Sequence, residues 1–486
     1  MSTIRQSLAL TFLSTNGATA VLFVVTIVLA RLLEPAEVGI FSITSVMVAV
    51  AHLFRDFGVA SYLQQEKELT RESVASAFGV LLLSSWSIAL VVFLCSWPAA
   101  EFYREPGIRD VMQVLALGFV FIPFGSITHS LLTREYRAKE QAYVRVVGTL
   151  AYSVSAITLA YMGFSYMSMA WANLINIIVT ALAYIPFRPA LVPWWPRLKG
   201  WRKVCHFGAG ATLGNSLVAL NNAVPDVVLG RLSGAHDVGL MSRAIGTTNI
   251  LSQVIGPTIS YAVLPFLSRA HHQGQELAAH MARSVAYLTG LMWPAYLVTA
   301  LFAEPIIRVL YGANWVAAAP AVQGVCLWFA LGAPFGFLGT AYMAIGRPYL
   351  ATVPSLISLA VKGVAIALLY DGTLGSFVWA LVVSGVVMYP VNAWMQRRYL
   401  GLGLRGLLKA QTHSLAVLAA CGAAALALLG LGGNWPALAQ LLAMVVLVPL
   451  VWVAAIWGLK HPLRREMEVA VRRLPWLARR LGLPAA

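Results

Sequence analysis

Long apolar runs alternate with short polar interruptions along almost the whole chain. Near one such interruption the sequence reads ARLLEPAEVGIFS (30–42), and GRLSGAHDVGLMS (230–242) repeats it 200 residues later. At that offset Arg31 meets Arg231, Val38 meets Val238, Gly39 meets Gly239 and Ser42 meets Ser242, while Glu37 meets the equally acidic Asp237. A helix needs about 20 apolar residues to cross a bilayer. On that criterion the runs divide into fourteen expected spans, at 7–30, 38–63, 76–97, 111–132, 144–163, 166–186, 205–230, 238–266, 284–303, 316–344, 349–370, 374–395, 410–430 and 437–458. The expected fold is therefore an all-α polytopic membrane protein.

The offset carries span one onto span seven, and both run in the same direction. This predicts two parallel six-helix lobes around a central cavity, with spans thirteen and fourteen as an addition. A second echo, FIPFG (121–125) in span four and GAPFG (332–336) in span ten, recurs in the same order. The expected organisation is an N-lobe at 1–186, a cytoplasmic interfacial linker at 187–204, a C-lobe at 205–398, the extra spans at 399–458 and a basic cytoplasmic tail at 459–486. The proline-, tryptophan- and arginine-rich linker suits the headgroup level of a membrane.

Composition agrees with this reading. Of 486 residues 59% are hydrophobic and 11% charged, and the mean hydropathy is +0.77, whereas soluble domains carry about a quarter charged residues. The first apolar run is too long for the core of a cleaved signal. The net charge of +16 does not point to nucleic acid, because the basic residues lie in loops beside spans and form no basic domain. Twenty-six lysines and arginines fall on one side of the expected topology and five on the other, which places both termini in the cytoplasm. The cysteines Cys95, Cys205, Cys326 and Cys421 are scattered singly and read as inert thiols, with no metal spacing.

Three basic residues, Arg55, Arg243 and Lys362, fall well inside expected spans, whereas Arg145, at the very start of 144–163, is counted with the preceding loop. A charge well inside a span costs at least about 2.5–3.5 kcal/mol and usually faces a protein interior or a watery cavity. Arg55 either lines such a cavity or braces helices as a local pair with Asp56. Arg243 and Lys362 either line it too or snorkel toward the interface. Asn215, Asn222 and Asp226 share one face of span seven, and Thr11, Thr15 and Thr19 share one face of span one. Hydrogen-bonded helix packing competes with a cavity-lining role for these stripes. No nucleotide-binding loop, zinc-protease helix or serine-nucleophile motif occurs, so neither a cofactor nor a metal is expected.

RDFGVASYLQQEKELT (55–70), the hinge at 30–42 and HPL (461–463) resemble the polysaccharide exporters of the Wzx type. The resemblance is to the colanic-acid exporter branch of the multidrug/oligosaccharidyl-lipid/polysaccharide superfamily. It implies a transporter of the bacterial inner membrane that flips undecaprenyl-pyrophosphate-linked oligosaccharide repeat units by alternating access. Membrane lipids, and a polysaccharide polymerase with its chain-length machinery, are the further partners implied. The peptidoglycan-lipid flippases of that superfamily carry an essential span-two arginine, which Arg55 matches, and Arg243 and Asp226 match residue types of the exporter branch. The substrate-binding candidates are Arg55, Arg243, Lys362, Asn215 and Asn222; Asp56 and Asp226 are the ion-coupling candidates. The alternatives are an ion-coupled multidrug antiporter of the same superfamily and an integral membrane glycan-modifying enzyme. Outer loops too short for a catalytic domain disfavour the enzyme, and buried cations outnumbering buried carboxylates disfavour the antiporter.

Overall fold

In the computed structural model the residues described are 4–56, 58–66, 68–193, 195–197, 220–250, 267, 269, 273 and 276–472. Among them the chain is helical and contains no β-strand. Twelve helical segments among the described residues are long and apolar enough to cross a membrane, and the chain is a multi-pass membrane protein. The expected spans at 205–230 and 238–266 lie partly outside the described residues, which hold helices at 220–233 and 235–250 there.

The chain packs as two compact units, Met1–Ser242 and Arg243–Ala486. The division falls within the helix 235–250, later than the linker at which the sequence suggests a lobe boundary. The first unit comprises α1 (Ile4–Leu32), α2 (Pro35–Asp56), α3 (Val59–Gln65), α4 (Arg71–Tyr103), α5 (Pro106–Arg134), α6 (Ala138–Tyr161), α7 (Met167–Ala183), α8 (220–233) and the start of α9 (235–250). The second continues with α10 (Leu277–Leu301), α11 (Ala303–Leu310), α12 (Ala319–Gly332), α13 (Leu338–Ala344), α14 (Thr352–Leu369), α15 (Leu374–Leu400), α16 (Leu404–Leu431), α17 (Ala437–Gly458) and α18 (Leu463–Arg472).

Two expected spans prove interrupted. The run 38–63 divides into α2 and α3, with Gly58 at φ 69°, a left-handed conformation that glycine adopts without Cβ strain. The run 316–344 is broken by a 3₁₀ turn, Ala333–Phe335. There Pro334 lacks the N–H that a continuous helix needs, whereas its echo Pro123 stays inside α5. The linker folds back on the first unit. Val192 joins the core of Val59, Leu63 and Phe78, and the Arg197 N–H donates to the Ala75 carbonyl at 3.1 Å. Cys326 and Cys421 are buried, as expected of inert thiols, whereas Cys95 is exposed on α4.

The repeated hinge is a pair of helix starts in direct contact. Pro35 opens α2, where its missing N–H costs nothing. Glu37 reaches back to accept the Glu34 N–H at 2.8 Å, half of a capping box. A Cβ on Gly39 would lie 1.7 Å from the Ala235 carbonyl oxygen, and one on Gly239 would lie 1.9 Å from that of Pro35. Ser42 donates to Ser242 at 3.1 Å. Each copy of the motif supplies the glycine against which the other's first carbonyl rests, and this explains why the repeat keeps Gly39 and Gly239.

The HPL motif anchors α18. His461 is 1% exposed. Its Nδ1 accepts the Leu463 N–H at 3.1 Å, so Nε2 carries the proton and donates to Ser414 Oγ at 3.1 Å. A Cβ on Gly290 would come within 2.5 Å of this imidazole. Burial, and secondarily the charge of His413, push the His461 pKa down to about 4. The same cavity is lined by Arg283, Lys409, His413, Lys460, Arg464 and Arg465 and by one carboxylate, Glu468. Since the docked form binds fewer protons, docking is at full strength above about pH 6.5. It weakens as pH falls toward 4, by roughly 3 kcal/mol in all. The protection of 459–472 against hydrogen exchange, relative to the intrinsic rate at each pH, is expected to fall steeply between pH 7 and pH 5. In His461→Ala protection should be low throughout and lose that pH dependence, and an unchanged profile would refute the anchoring role.

Candidate functional site

Arg55 lies in the last turn of α2, nearer a helix end than a continuous span 38–63 implies, and is half-buried. The final carbonyls of a helix have no intrahelical partner. Ser84 of α4 supplies one by donating to the Arg55 carbonyl at 2.7 Å, and a cation at this end complements the helix dipole. Asp56 ends the same helix, but its side chain lies outside the described residues, so the Arg55–Asp56 pair stays an expectation. On the following segment, Arg134 Nη1 donates to the carbonyls of Leu63 at 3.0 Å and Glu66 at 2.5 Å, capping α3.

α8 packs beside α2 and α4 through Gly230, where a Cβ would meet Ile43 at 2.8 Å and the Tyr103 ring at 3.1 Å. One turn earlier, Asp226 carries a buried carboxylate oxygen that accepts no hydrogen bond among the described residues. Asn222, a further turn away, is exposed. Asn215 lies outside the described residues.

The threonine stripe of α1 meets a cation that sequence reasoning assigned to a loop. Arg145 of α6 donates to Thr15 Oγ1 at 3.0 Å. On the neighbouring α7, Thr180 donates to Asn176 at 3.2 Å, and past its end Tyr184 bonds His129 of α5 at 2.9 Å. The signal for Arg145 was its place one residue inside an expected span, facing a helix with threonines at every fourth position.

In the second unit Arg243 and Lys362 are 9% and 5% exposed. Each rests on aromatic faces. The Arg243 guanidinium lies 5.2 Å from the Trp315 ring centre and 5.6 Å from that of Tyr311. Thr247 bonds both the Arg243 carbonyl, at 2.8 Å, and the Tyr311 hydroxyl, at 3.1 Å. Lys362 Nζ lies 5.1 Å over Trp328. An indole face attracts a cation by about 0.5–2 kcal/mol, which offsets part of the cost of withdrawing these charges from water. Thus Arg55 and Asp226 belong to the first unit, and Arg243 and Lys362 to the second over different rings. No cluster of three metal-binding side chains occurs among the described residues.

A family model described as "Polysaccharide biosynthesis protein" matches residues 28–320. The succinoglycan biosynthesis transport protein ExoT of Rhizobium meliloti (strain 1021) is 23% identical over 481 residues, covering 97% of each chain. The lipopolysaccharide biosynthesis protein WzxC of Escherichia coli (strain K12) is 23% identical over 329 residues, 66% of this chain and 65% of that one. Among solved structures, the lipid II flippase MurJ in an inward closed conformation matches with a TM-score of 0.72 and 12% identity. The match covers 92% of this chain and 98% of that chain, a likeness of fold.

Proposed function

The chain belongs to the polysaccharide biosynthesis protein family, and from that premise we propose that it is a lipid-linked oligosaccharide flippase. It carries undecaprenyl-pyrophosphate-linked repeat units from the cytoplasmic to the periplasmic leaflet of the bacterial inner membrane, for assembly of a surface polysaccharide. Both termini are cytoplasmic, as the distribution of basic loops favours. Two lobes of similar build alternate access to a cavity whose cations receive the headgroup while the isoprenoid tail stays in lipid.

The observation carrying this reading is the withdrawal of Arg243 and Lys362 almost wholly from solvent, on helices of a membrane protein of this family. Pyrophosphate needs cations where water is scarce, and arginine offers a charged planar fork of donors. We assign substrate binding to Arg55, Arg243, Lys362, Asn215 and Asn222. Arg145 joins them because it presents its guanidinium to the polar face of α1. Asp226, with a buried oxygen that accepts no hydrogen bond among the described residues, and Asp56 are the groups assigned to ion coupling. The implied polymerase and chain-length partners belong to the same reading.

Reconstitution in proteoliposomes tests it. A lipid-linked oligosaccharide placed in one leaflet should become accessible to a glycosidase on the other side, and cationic dyes should not be expelled. Dye efflux without glycan movement would replace the reading with the antiporter. Collapsing the ion gradients should slow flipping if the carboxylates couple it.

A further inference from the structure

The second unit holds a cation-lined cavity of about 740 Å³ that the transport reading does not use. It lies between α10, α16 and the segment joining α17 to α18. Arg283, Lys409, Lys460, Arg464 and Arg465 line it together with His413, against one carboxylate, Glu468. That carboxylate is engaged by Arg464 at 2.7 Å. The neighbouring Glu466 accepts the Tyr287 hydroxyl at 2.9 Å. Among the described residues Arg283, Lys409, Lys460 and Arg465 form no ion pair. Like charges gathered in this way repel one another unless an anion lies among them.

The cavity is built on fixed parts. The buried His461 pins its floor to Ser414, and Lys460 holds φ 52°, a left-handed conformation that a non-glycine residue keeps only under constraint. Trp452 of α17 donates to the Gly290 carbonyl of α10 at 2.8 Å, tying the helices together beside it.

Its place along the helices points to the ligand. Arg283 and Lys409 each stand one residue before an expected span, 284–303 and 410–430, the position at which basic side chains meet lipid headgroups. α18 adds arginines on an amphipathic helix suited to the interface. We propose that this cavity binds the phosphate headgroup of an anionic glycerophospholipid, in the leaflet on the side of α18. Bound there, the lipid would join α18 to α10 and α16. Basic pockets between membrane helices take such headgroups.

The full-length protein in zwitterionic nanodiscs is titrated with phosphatidylglycerol or cardiolipin, with phosphatidylethanolamine as the neutral control and inorganic pyrophosphate as the soluble one. Retained lipid is counted by native mass spectrometry and thermal unfolding is followed in parallel. The wild type should retain the anionic lipids preferentially and melt several degrees higher with them. Arg283→Gln/Lys409→Gln/Arg465→Gln should bind them at least tenfold more weakly, while an equal charge loss elsewhere (Arg104→Gln/Arg109→Gln/Arg308→Gln) should not. Should the triple variant fail to fold, Lys409→Gln alone must still weaken retention. Equal retention by the pocket and control variants would overturn the proposal. So would inorganic pyrophosphate competing as strongly as lipid, which would assign the cavity to a soluble phosphate. An undecaprenyl-pyrophosphate lipid displacing phosphatidylglycerol at equal concentration would also overturn it, and would assign the cavity to the transported substrate.

Discussion

Replacing Gly39 with alanine is expected to destabilise the first unit by at least 1–3 kcal/mol, the usual range for an added methyl group that must force packed neighbours apart. The obstacle here is backbone, the Ala235 carbonyl oxygen at 1.7 Å from the new Cβ. Side-chain repacking cannot relieve it, and the starts of α2 and α9 must separate. Gly239→Ala should cost a similar amount, because the Pro35 carbonyl lies 1.9 Å from its added methyl. Once one substitution has parted the helices, the second should add less than its single effect, a coupling that a double-mutant cycle reads directly. Gly17→Ala, with nothing within 4 Å, is the control and should be neutral or slightly stabilising within its helix. Thermal unfolding of the purified protein checks all four variants. Melting of Gly39→Ala at the wild-type temperature would show that the two hinges are not in contact.

Arg55→Ala is expected to abolish glycan export from cells while its level in the membrane stays normal. Loss of a charge-assisted hydrogen bond costs about 1.5–3 kcal/mol, enough for a tenfold to hundredfold fall in transport even if other cations retain the substrate. Arg55→Lys should recover part of the activity, since a point charge lacks the planar fork that grips two phosphate oxygens. That graded order distinguishes substrate contact from bracing. A purely structural arginine at the end of α2 would show its loss in membrane abundance first, and export per molecule would be unchanged. Normal export by a well-expressed Arg55→Ala protein would remove Arg55 from the site.

The helical membrane architecture was legible because apolar runs of span length leave few alternatives. The hinge was legible as a repeat but not as a contact, since matching motifs say nothing of whether their copies meet. Arg243 and Lys362 were recognisable as charges out of place. Their partners Trp315 and Trp328 were not, because fifteen tryptophans give no clue to which one lies beneath a given cation. The interruption after Asp56 was hidden by the unbroken apolar character of FGVASYL, where Gly58 could equally have packed within a helix. Arg145 was misplaced for a simpler reason. Span ends are uncertain by a few residues, and a basic residue at such an end is counted with the loop.

The arginine cap on α3 has a consequence for where motion can occur. Arg134 holds the carbonyls of Leu63 and Glu66, and Val59, Tyr62 and Leu63 are locked in the adjoining core. The segment beyond Gly58 is thus a fixed post. Any reorientation of the Arg55 guanidinium between two states of a working cycle is therefore taken up on the α2 side of Gly58, by the arginine side chain or by that helix.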